Sequence, residues 1–141
     1  MAGQWYPEGL KWLIDNGLDA VTQMKAQLLV NGQTPNEAHN FRDDLSVVEA
    51  GSTPVNVTVT TQNDLANSRL EFVLGADIVF SAVPQGETVG HLVLYDSPSG
   101  AAATDRLLAF FDLSSALATN DLDITITRDA TDGELTVSYG A

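Results

Sequence analysis

From residue 24 onward the apolar residues recur with a period of two, and this alternation limits the fold more than any other feature. In "TQMKAQLLV", Met24, Ala26, Leu28 and Val30 alternate with Lys25, Gln27 and Leu29. "VNVTVTT" sets Val55, Val57 and Val59 against Asn56, Thr58 and Thr60, and "LDITITR" sets Leu122, Ile124 and Ile126 against Asp123, Thr125 and Thr127. "SRLEFVL", "DIVFSAV" and "ELTVSY" follow suit through Leu70, Phe72, Leu74, Ile78, Phe80, Ala82, Leu135, Val137 and Tyr139. Successive side chains of a strand point to opposite faces, so strict alternation predicts one face on a core and one in water. "VGHLVLY" and "RLLAFFDL" are apolar on both faces and are expected as central strands.

Turn-like stretches separate these runs: "NGQTPN", "AGSTP", "LGAD", "PQGE", "DSPSG" and "TDGE". Asp132-Gly133 reads as a tight hairpin turn between the last two strands. "GAAATD", 100–105, is expected as a flexible loop tip. Only the segment 34–48 is long enough to hold a helical turn between strands. At the N-terminus, "PEGLKWLIDN" predicts a helix over 7–16. Pro7 suits a first turn, Glu8 complements the positive helix end, Leu10, Leu13 and Ile14 share a face, and Gly17 is a stop. The expected architecture is one all-β domain over 1–141. It is a β-sandwich, or a jelly-roll-like or barrel fold, of about eight mainly antiparallel strands, closed by an N-terminal segment (1–17) with its short helix. At 141 residues the chain is long enough for one real core without disulfides, and it has no cysteine.

Charge narrows the functional classes. Six Lys and Arg stand against 19 Asp and Glu, for a net charge of −13. Such a balance argues against nucleic acid, where basic side chains supply most of the affinity, and against an anionic membrane surface. It favours a partner with a neutral or basic face. No apolar run is long enough for a membrane-spanning helix, and "MAGQWYPEGLKWL" has none of the layout of a secretory signal.

The densest chemical cluster is "TPNEAHNFRDDL", 34–45. His39 and Asp43 are four apart, so a helix would bring them together, with Asp44 beside them. A catalytic zinc commonly takes three protein ligands, however, and the only other histidine, His91, lies in an apolar run. The simpler reading is structural. Thr34 caps a turn, Pro35 takes its first position, Glu37 closes a capping box, and the two aspartates mark a chain reversal. No Gly-x-Ser-x-Gly elbow and no phosphate-binding glycine loop is present. "DLDITITRDATDGE" is as acidic as a calcium loop but lacks the order of an EF-hand. No catalytic residue, metal or cofactor is therefore expected.

Three of the ten aromatic residues, Trp5, Tyr6 and Trp12, fall in the first twelve positions. Aromatic residues are enriched at protein interfaces, which makes Trp5, Tyr6, Pro7, Leu10 and Trp12 candidates for contact with a partner or a neighbouring subunit. The alternative is that they pack on their own sandwich and seal one end of it.

The residue order resembles a family of small structural proteins of tailed bacteriophages, some of them capsid decoration or cement proteins. The resemblance rests on Trp-Tyr-Pro-x-Gly-Leu (Trp5 to Leu10), Lys-x-x-Leu-Val (Lys25 to Val30, with one residue more), Thr-Pro-Asn-x-Ala-His-x-Phe-x-Asp-Asp (Thr34 to Asp44), the apolar run into Tyr-Asp (Leu92 to Asp96), Leu107 to Asp112, and Asp-Ile-Thr-Ile (Asp123 to Ile126). It departs at 49–66, where "EAGSTPVNVTVTTQNDLA" replaces a glycine- and tyrosine-rich stretch. The resemblance implies a non-enzymatic virion protein on the outer capsid surface, assembled in the bacterial host's cytoplasm. It implies the major capsid protein as partner and a homotrimer as the oligomeric state. Rival readings are a tail-tube, head-completion or spike-base protein, and a carbohydrate-binding β-sandwich. An enzyme is the least favoured class.

Overall fold

The alternating segments become antiparallel strands in the computed structural model, which describes residues 3–31, 36–45, 53–128 and 135–138. The strands are β1 (Gly3–Trp5), β2 (Met24–Val30), β3 (Val55–Asn56), β4 (Val59–Asp64), β5 (Arg69–Leu74), β6 (Ile78–Phe80), β7 (Thr88–Asp96), β8 (Arg106–Ala118), β9 (Ile124–Ile126) and β10 (Leu135–Ser138). A helix, α1 (Pro7–Asn16), follows β1 and has the predicted bounds. Short 3₁₀ turns occupy Leu18–Ala20 and Arg42–Asp44.

The strands pair into a five-stranded sheet, β1-β8-β7-β2-β3, a three-stranded sheet, β10-β5-β4, and a β6-β9 ribbon. One apolar cluster joins Ala26, Leu28, Leu92 and Phe111 of the large sheet to Phe72 and Leu74 of the second sheet and to Phe80 and Ile124 of the ribbon. The molecule is thus an all-β sandwich, with the smaller sheets over one face of the larger. No sheet closes into a barrel among the described residues.

The other face of the large sheet departs from expectation. Gln27 and Leu29, predicted to face water, are both fully buried. Leu29 belongs to a second apolar cluster with Tyr6, Val93, Tyr95, Leu107 and Phe110, and Leu45 packs against it. The sheet is therefore covered on both faces, which suits the doubly apolar character of β7 and β8. In β8 the ladder slips by one residue, since Leu94 pairs with Ala109 but Tyr95 with Leu107. That bulge lets Leu108 and Ala109, adjacent in sequence, both join the sandwich core.

Two other expectations are corrected. β9 pairs with β6 and β10 with β5, so the last two strands do not form a hairpin; Asp132 and Gly133 lie outside the described residues. "VNVTVTT" is two strands, because β3 pairs with β2 whereas β4 pairs with β5. The chain changes sheets at Val57–Thr58, and alternation looks the same in either sheet. The 100–105 tip folds as a turn. Thr104 and Asp105 amides donate to the Ala101 carbonyl at 2.9 and 3.0 Å, and Asp105 is fully buried.

Candidate interaction surface

The N-terminal segment is built into the sandwich by pairing. β1 lies antiparallel on β8, with Trp5 opposite Ala109 and Gln4 opposite Phe110, and the Tyr6 amide continues the ladder to the Leu108 carbonyl at 3.0 Å. Because neighbours on a strand point to opposite faces, Trp5 and Tyr6 separate. Trp5 turns to the sandwich core and meets Phe72 edge to face, ring centroids 4.8 Å apart. Tyr6 turns to the reverse face, where it is 2 % exposed and packs on Phe110. Its hydroxyl has no hydrogen-bond partner among the described residues, and burial pushes the phenol well above its ordinary pKa.

α1 then docks directly on the β8 backbone. A Cβ at Gly9 would run into the Leu107 carbonyl and come within 2.9 Å of Leu108 Cα, so only glycine allows this approach. Gly9 and Leu13 form the buried face of the helix. Gly17, at φ +85°, ends it by donating to the Leu13 carbonyl at 2.7 Å.

Of the five candidate contact residues, Tyr6 is withdrawn from any outer surface because the second core absorbs its ring. Trp5 is half-buried against Phe72. Trp12 is half-buried beneath Arg106, whose guanidinium lies 5.6 Å from its ring centroid and 4.9 Å from that of Phe41. Pro7 is exposed, and Leu10 is half-buried. Leu10 borders an open groove of about 250 Å³ whose helical wall continues through Leu13, Ile14 and Leu18 and whose other wall is Thr61, Leu70 and Phe72. Ile14, expected on the core face, is 70 % exposed at the edge of this groove. The signal was present in sequence as the i, i+4 ladder Leu10, Ile14, Leu18. The wall from β4 and β5 was not, because it depends on which sheet those strands join.

The acid-rich segment has a structural role in the part that is described. The amides of Asn40 and Phe41 donate to Asp44 Oδ2 at 2.8 and 2.9 Å, and these bonds, the Phe41 one first, hold the Asp44 carboxyl below its ordinary pKa. Arg42 Nε donates to Asp105 Oδ2 at 2.8 Å, and its guanidinium lies 5.1 Å from the Tyr95 ring centroid. Backbone bonds run from Arg42 to the Asp105 carbonyl at 2.8 Å and from Leu107 to the Asn40 carbonyl at 3.0 Å. The segment therefore clamps the start of β8. Thr34 and Pro35, to which a cap was assigned, lie outside the described residues. Residues 37–38 form a turn and 42–44 a 3₁₀ turn, so no α-helix stacks His39 on Asp43. His91 is buried against Phe110, with Nδ1 3.2 Å from Asp112 Oδ1. No three His, Asp or Glu side chains converge as metal ligands among the described residues.

The fold and surface thus define an all-β sandwich with an apolar groove on an acidic exterior. Comparison with protein-family models, curated proteins and solved structures found no match to this chain.

Proposed function

We propose that this chain is a structural protein of a tailed-phage virion, a binding protein and not an enzyme. It attaches to the outer surface of an icosahedral capsid as a homotrimer, with the major capsid protein as partner, and stabilises the shell. The observation that supports this reading most is where the stretches of the family resemblance fall. Residues 5–10, 25–30, 92–96 and 107–112 lie in the five-stranded sheet or the helix docked on it, the described part of 34–44 is the clamp at its end, and 123–126 falls outside it, in the β6-β9 ribbon. Five of the six stretches of the resemblance therefore belong to one connected structural frame. Within that frame Arg42 and Asp44, both from the acid-rich segment, are engaged in holding backbone and side chains in place.

The mechanism is mass action: a ligand that binds only the assembled shell stabilises that shell, and many equivalent sites let modest contacts sum over the particle. The charge of −13 suits a basic patch on the shell and speeds the encounter with it. The test is cryo-electron microscopy of purified virions together with quantitative mass spectrometry of copy number. Density traced to this chain across the whole outer shell supports decoration. A single ring of copies at the portal or tail would move the assignment to a head-completion or tail component.

A further inference from the structure

The margin of a β-sheet carries unpaired backbone groups, and proteins blunt it with short strands, bulges, lysine or proline. Among the strands at the sheet margins β4 is the longest, six residues against two to four in β1, β3, β6, β9 and β10. Its sequence, VTTQND, holds neither lysine nor proline, its register on β5 is unbroken, and Thr60 to Asn63 are exposed. We infer that this open edge pairs, antiparallel, with β4 of a second copy of the chain. The inference goes beyond the virion reading and does not rest on it. The ladder shows which groups the edge offers. The Gly75 amide donates to the Thr58 carbonyl at 2.9 Å, and Val59 stands opposite Leu74. Hydrogen-bonded pairs alternate along an antiparallel ladder, so Thr60, Gln62 and Asp64 bond to β5, while the amides and carbonyls of Val59, Thr61 and Asn63 point outward. Among the described residues β5 is the only strand beside β4.

The strand is its own complement. Centred on Thr61, two antiparallel copies set Thr61 against Thr61, Thr60 against Gln62 and Val59 against Asn63, and they make about six backbone hydrogen bonds. Asp64, the only charged residue of the strand, then faces Thr58 and not another acid, and Arg69 of its own chain holds it at 3.0 Å. Two chains of charge −13 thus meet along a nearly uncharged line. Thr61 also lines the groove beside α1, so the pairing brings both grooves to the twofold axis. The contact is isologous, and on a shell that carries the chain as trimers it ties one trimer to the next.

The test is sedimentation velocity of the full chain over a concentration series reaching about 0.1 mM. Thr61→Lys and Thr61→Glu each set like charges face to face across the pair, whereas Thr125→Lys adds a charge at an exposed position of the β6-β9 ribbon. The wild-type chain and Thr125→Lys are expected to form dimers, or pairs of trimers. Each Thr61 variant alone should pair about tenfold or more weakly. An equimolar mixture of the two should regain pairing, because lysine then faces glutamate, and that recovery also shows both variants to be folded. A wild-type chain that stays a monomer or a lone trimer across the series overturns the inference. Pairing that survives both Thr61 variants, or that fails to return in the mixture, overturns it as well. If the Thr61 variants pair normally but lose binding to shells of the encoding phage, the occupant is a capsid strand and the inference falls. Each of these outcomes leaves the virion reading standing.

Discussion

At the residue scale the polar groups inside this protein differ in how well they are satisfied. The Tyr6 hydroxyl is buried without a partner, and leaving such a group unpaired costs about 1–3 kcal/mol. Tyr6→Phe should therefore raise stability by roughly 1 kcal/mol in urea unfolding, and a clear loss would mean that the hydroxyl is bonded after all. The Arg42–Asp105 pair behaves in the opposite way. Asp105 is 1 % exposed in its side chain, so Arg42→Ala strands a buried carboxylate and should cost about 3–5 kcal/mol by the same measurement. Asp44 supplies a pH signature. Its carboxyl pKa is lowered in the folded state by the Phe41 and Asn40 amides. Its stabilisation is thus complete above the unfolded-state pKa, near 3.9, and is lost as pH falls through the lower folded value. Asp44→Asn should destabilise at pH 6 and become nearly neutral toward pH 2. An equal gap at both pH values would contradict this.

At the level of elements, the docking of α1 on β8 controls which surface is left over. Isolated ten-residue helices are marginal, so the helix exists because Gly9 and Leu13 seat it on the sheet. Gly9→Ala places a methyl group against the β8 backbone, which cannot retreat as a side-chain tip would. Its cost is expected at about 1–3 kcal/mol or more, and the drop in thermal midpoint should come with loss of helical signal in circular dichroism. An unchanged midpoint would show that the helix does not sit this close. Removing residues 1–7 would strip β1, Trp5 and Tyr6 from two apolar clusters, so its effect on capsid binding would report folding rather than contact. The same docking explains Ile14: the helix is seated through its Gly9–Leu13 side, so the Leu10–Ile14 side falls at the groove instead of in the core.

For the whole molecule, the charge of −13 opposes compaction through self-repulsion, which salt screens. The thermal midpoint should therefore rise as NaCl goes from about 20 mM to about 0.5 M, and a falling midpoint would indicate that the ion pairs outweigh the repulsion. Against this charge stands the sandwich, and much of it was legible in the chain. Period-two alternation specified an all-β fold, and Pro7, the apolar spacing and Gly17 specified the helix at 7–16, because both depend on local geometry and on which residues avoid water. The sequence did not reveal β1, three residues long and paired with β8, distant in the chain. Nor did it show where the chain crosses between sheets at Val57–Thr58, or that the reverse face of the large sheet is buried. The groove was half legible, through Leu10, Ile14 and Leu18; its opposite wall required β4 and β5 to arrive from elsewhere in the chain. Local pattern states which residues must leave water, while only the tertiary structure decides against what they are buried, because pairing and register are contacts between residues far apart in sequence.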